Sequence, residues 1–100
     1  MSMVRIGTHT SVAGGPEKAF ARSAAVGGNT LQVFAKSPQS RESPTYSSEQ
    51  FAAGCAERTL HTQQGGLVHS NYLANLSKPT AEIPREIASI LHDFAYAHAL

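Results

Sequence analysis

Cysteine occurs once in these 100 residues, at Cys55, so no disulfide can form within the chain. That excludes the disulfide-stapled secreted scaffolds and leads us to expect a reducing, cytoplasmic setting. Cys55 falls beside Ala52 and Ala56 on an apolar helical face, where a small core residue is expected. An excess of charge of one sign is also lacking: eight Lys and Arg face seven Asp and Glu, for a net charge of +1. A basic surface over the whole chain is thereby excluded, and any phosphate contact has to be local. No apolar run approaches the ~20 residues that cross a bilayer, and the first residues carry no signal-peptide pattern. Linkers and low-complexity stretches are missing too, which leaves one small domain with no internal boundary over residues 1–100.

What is present is a pattern that alternates between strand and helix. Residues 3–9, MVRIGTH, read as a short strand that ends at Gly7 with His9 just beyond. Pro16 suits the first position of a helix, where its missing N–H costs nothing, and that helix stops at Gly27-Gly28. A second strand covers residues 29–35, NTLQVFA, and an eleven-residue loop with two prolines follows it. Ser47 and Gln50 then form a capping box, with Tyr46 and Phe51 as its hydrophobic staple. This helix is expected to run to Gly65-Gly66, and "LVHS" after it is the third strand. The last helix starts near Thr80 or Ile83, and its Ile83, Ile87, Ile90, Leu91, Phe94 and His98 predict a core-facing stripe.

A βαβαβα order implies a parallel sheet, whose sites lie at the C-terminal ends of the strands. Those ends carry His9, Lys36 and His69. A lone histidine at a strand end is more often a hydrogen-bonded structural residue than a ligand, and Tyr72 alone reads as a partly buried loop aromatic. Lys36 and Arg41 read first as solvated loop charges. Gly14-Gly15 suits either a tight turn or a backbone cradle for phosphate. Three βα units also leave a parallel sheet short of cover, so the chain is expected to be part of a larger barrel or to associate through its strand edges.

Three stretches, IGTHTSVAGG (6–15), LQVFAKSP (31–38) and VHSNYLANLSKP (68–79), resemble endonuclease IV, the apurinic/apyrimidinic endonucleases of the xylose-isomerase-like barrels. The resemblance runs over essentially the whole chain and implies the N-terminal βαβαβα portion of a TIM (β/α)8 barrel. It further implies a site of three zinc ions that hydrolyses the phosphodiester 5′ to an abasic position in duplex DNA. On this resemblance His69 is a zinc ligand, and His9 lies beside the metal or the substrate. Tyr72 and Leu73 push into the DNA from the minor groove, while Lys36, Gln39 and Arg41 belong to a second DNA-contacting loop. The family usually has arginine where Gln39 stands and tryptophan where Arg41 stands. Its other metal ligands have no counterpart here, so the chain alone is expected to be inactive. A sugar isomerase or epimerase on the same barrel, and a non-catalytic truncated fragment, are the competing expectations.

Overall fold

The structure is a computed structural model that describes residues 4–37, 39, 42–70, 72, 73, 76, 77, 81 and 83–100. Among the described residues three strands alternate with three helices: β1 (Gly7–His9), α1 (Ala19–Ala25), β2 (Thr30–Phe34), α2 (Ser48–Leu60), β3 (Leu67–His69) and α3 (Ile83–Ala99). A 3-10 turn at Pro16–Lys18 leads into α1, with Pro16 at its first position. The strands are parallel in the order β1-β2-β3, with His9 opposite Gln32 and Phe34 opposite His69. This is an α/β arrangement, consistent with part of a TIM barrel.

Local chemistry explains the strand pairing. The Asn29 side chain holds the approach to β1, accepting from the Ile6 N–H at 2.8 Å and donating to the Val4 carbonyl at 2.9 Å. Glycine is required at position 7, because a Cβ there would collide with the Thr30 carbonyl. Gly27, at φ 83, closes α1 in the left-handed conformation that a side chain resists. Along β2 the alternation is strict: Leu31 and Val33 are buried, while Thr30, Gln32 and Phe34 lie on the other face and are half-buried.

The core forms on the Leu31–Val33 side. Ala19, Phe20, Leu31, Val33, Ala35 and Tyr96 are its buried members. The capping box is present as expected: the Gln50 N–H donates to Ser47 Oγ at 3.1 Å, and Gln50 Oε1 accepts from the Ser47 N–H at 3.2 Å. Tyr46 and Phe51 meet edge to face at 5.9 Å, and both rings lie within 6 Å of Tyr96 on α3. Burial among these groups pushes the Tyr96 phenol well above its ordinary range, with the Tyr46 phenol and the Glu17 carboxylate adding to the shift. Burial raises Tyr46 as well, followed by the nearby Glu17 charge.

Three expectations are corrected. α2 ends at Leu60, with His61 as its cap and Thr62 at positive φ, several residues before Gly65-Gly66. Cys55 is exposed rather than a core residue, because the face of α2 that packs inward presents Gly54 instead. The apolar stripe of α3 faces outward: Ile87, Leu91 and Phe94 are 45%, 59% and 68% exposed, whereas Glu86, Asp93 and Tyr96 are buried. The reason lies at the end of β2. Lys36 is buried, and its ammonium donates to the Ser89 carbonyl at 2.8 Å and Oγ at 2.9 Å and pairs with Asp93 at 3.3 Å. A buried cation demands a partner, and the α3 face carrying Ser89, Asp93 and Tyr96 supplies one. Among the described residues no helix is long and apolar enough to cross a membrane.

Candidate functional site

Parallel strands finish on one rim, and two of the three finish here on histidine. His9 closes β1 and His69 closes β3, on the sheet face opposite the core, with Phe34 of β2 between them. The His9 and Phe34 ring centroids are 4.6 Å apart, those of Phe34 and His69 are 4.8 Å apart, and the two imidazoles are 6.2 Å apart. Tyr72, in the turn after β3, joins them at 5.4 Å from Phe34 and 6.0 Å from His69. Tyr72 is 62% exposed, so it stands at the lip of the rim. A cavity of about 250 Å³ opens beside this group, lined in part by His9, Thr10, Phe34 and Tyr46.

The two imidazoles are wired differently. His69 Nδ1 donates to the Ser70 carbonyl at 2.6 Å, which leaves Nε2 with a free lone pair when the ring is neutral. A backbone hydrogen bond at one nitrogen that orients the other is the arrangement of metal-binding histidines. His9 Nδ1 instead accepts from Gln32 Nε2 at 3.0 Å, so its proton sits on Nε2. In that tautomer His9 offers the rim a donor rather than a lone pair.

The other sequence candidates are placed as follows. Leu73 is half-buried beside Tyr72, and Gln39 is exposed in a turn after β2. Arg41 lies outside the described residues. Lys36 departs from the expectation of a solvated loop charge that meets phosphate, since its side chain is 1% exposed and engaged by α3. Gly14-Gly15 forms a tight turn, with the Gly15 N–H donating to the Val12 carbonyl at 2.9 Å. Sequence reasoning passed over Phe34, yet it is the ring that touches His9, His69 and Tyr72 together. The signal was available in TLQVF, where strict alternation sets residue 34 on the face away from Val33.

Zinc takes about four donors, and three ions need correspondingly more. Among the described residues no three His, Cys, Asp or Glu side chains lie close enough together to hold a metal ion. These residues therefore do not fit a complete zinc site. Of the two rim imidazoles, that of His69 has the unengaged nitrogen that such a site would use.

No family model matches the chain. Among curated proteins, it is 37% identical over 81 residues to a probable endonuclease 4 of Chloroflexus aggregans, covering 81% of this chain and 28% of that protein. It is 35% identical over 98 residues to a probable endonuclease 4 of Halobacterium salinarum, covering 97% of this chain and 36% of that one. A probable endonuclease 4 of Haloarcula marismortui is 37% identical over 84 residues, or 81% of this chain and 29% of its own length. The chain thus spans about a third of the length of the curated relatives it matches.

Proposed function

Because the chain is a sequence relative of the endonuclease 4 proteins over 81 to 97% of its own length, we propose that it is the part of a DNA-repair endonuclease carrying the first three βα units of a barrel. In this reading the whole protein is a zinc-dependent, cytoplasmic hydrolase that cuts the phosphodiester 5′ to an abasic position. His69 is one of its metal ligands, and Tyr72 with Leu73 meets the duplex at the lesion. His9 sits at the rim as a hydrogen-bond donor. Gln39 and Arg41 belong to a second DNA-facing loop, from which Lys36 is withdrawn by its pairing with Asp93.

The observation that carries this reading is the pairing of a ligand-ready imidazole with an exposed aromatic at one strand end. His69 Nε2 is free, and the Tyr72 ring lies 6.0 Å away at the lip. A ring presented this way suits insertion between bases, which unstacks and bends a duplex. An abasic position has already lost part of its stacking, so the deformation costs least there.

The test is cleavage of a duplex with one abasic position by the protein that carries this segment. Nicking that a chelator abolishes and that His69→Ala removes is the expected result. Isomerisation of a ketose without nicking would shift the reading to the sugar enzymes of the same barrel. The 100-residue chain by itself is expected to nick nothing and, through the outer edges of β1 and β3, to associate with copies of itself, which light scattering reads. Tyr72→Ala is expected to weaken binding to abasic duplex with little change in the thermal midpoint, and equal losses of both would count against the lip assignment.

A further inference from the structure

Phe34 is the one side chain of the rim that the reading above leaves without a role, and its ring lies closer to each of His9, His69 and Tyr72 than any of these lies to another. Its position is fixed by the strand rather than by the loops: Leu31, Val33 and Ala35 enter the core, and the residue between the last two is turned to the opposite face. Parallel register then sets it directly across from His69. Tyr72, by contrast, sits in a turn and is exposed. Such a ring takes its direction from its neighbours, and its interplanar angle to Phe34 is 89°, an edge-to-face pair at 5.4 Å. Phe34 meets the His69 ring at 4.8 Å and the His9 ring at 4.6 Å, tilted by 57° and 56°.

We propose that Phe34 is a positioning residue of this site, holding the Tyr72 ring upright at the lip and the His69 ring across the face of the sheet. The assignment rests on the proposed function for its ligand, duplex DNA with an abasic position, but its geometric part stands by itself. A preset Tyr72 ring meets DNA with its rotamer already chosen, so binding does not have to order it. The His69 ring is fixed from two sides, by its hydrogen bond to the Ser70 carbonyl and by the Phe34 face.

The test reads Tyr72 directly in the chain, through its Hα–Hβ three-bond couplings. The wild-type chain is expected to give the unequal couplings of a single rotamer. Phe34→Leu is expected to give averaged couplings with the fold retained by circular dichroism, and Phe34→Tyr, which keeps the ring, is expected to restore the wild-type pattern. Should Phe34→Leu fail to fold, Phe34→Met is judged by the same criterion. Averaged couplings in the folded wild type, or a single rotamer kept in a folded variant without the ring, would overturn the assignment. None of these readings uses DNA, so a failure to bind abasic duplex would sink the proposed function and leave the role of Phe34 to be decided here. In the protein that carries the segment, Phe34→Leu is expected to raise KM for the abasic duplex by roughly two- to tenfold, the span of ordering one side chain, with a smaller change in kcat. A loss confined to kcat would contradict it.

Discussion

An imidazole offers different chemistry at its two nitrogens, and a hydrogen bond at one settles what the other can do. His9 and His69 illustrate this from 6.2 Å apart: the first accepts at Nδ1 and the second donates from it. Nitrogen-15 correlation spectra of the neutral rings should therefore report the Nε2–H tautomer for His9 and the Nδ1–H tautomer for His69. The same tautomer at both positions would remove the reason for treating one as ligand and the other as donor. His69 and Tyr72 were legible in the sequence because a strand end followed by a turn is a local pattern. Lys36 was not, since the groups that bury it, Ser89 and Asp93, lie more than fifty residues further along the chain. Phe34 was hidden for another reason: an aromatic in a strand suits either face, and only the register with His69 shows which neighbours it has.

At the scale of elements, α2 and α3 show when a pattern on one helix is enough. The start of α2 is written into Tyr46, Ser47, Gln50 and Phe51, all within six consecutive residues, and each behaves as the sequence suggests. Ser47→Ala is expected to cost about 1 kcal/mol of stability, measurable by urea titration, because the Gln50 N–H loses its acceptor. For α3 the apolar stripe was plain but its direction was not, since the buried ammonium of Lys36 competes for the same helix and wins the inward face. Asp93→Ala should cost about 3–5 kcal/mol, as expected when one partner of a buried pair is removed. The double replacement Lys36→Met with Asp93→Leu should recover most of that loss. Tyr96 adds a pH dependence with a definite sign. Its folded pKa is raised, so its contribution is fully present below the unfolded value near 10 and is lost as pH rises beyond it. Thermal midpoints should fall from about pH 10 upward, and Tyr96→Phe should flatten that fall.

At the scale of the whole molecule, the described residues form a three-stranded parallel sheet that is covered by helices on one face and presents the His9, Phe34 and His69 rings on the other. Parallel sheets are usually buried on both faces, and Leu67, which pairs with Gln32 on the face away from the core, is 67% exposed here. A chain that spans about a third of its relatives leaves room for that uncovered face to be met by further structure in a longer protein. The alternation of strands and helices, the parallel topology and the two histidines at the ends of β1 and β3 were readable from periodicity, because each follows from local spacing, whereas Lys36 was expected beside them and is held by α3 instead. The metal site of the proposed function was not readable, since a single imidazole from this segment cannot specify further donors. The measurement that bears most directly on the gathering of the rim is an aromatic NOE spectrum of the chain with His9, Phe34, His69 and Tyr72 assigned. Cross-peaks from the Phe34 ring to all three partners are predicted. Contact with only one of them would place the strand ends apart and contradict the site.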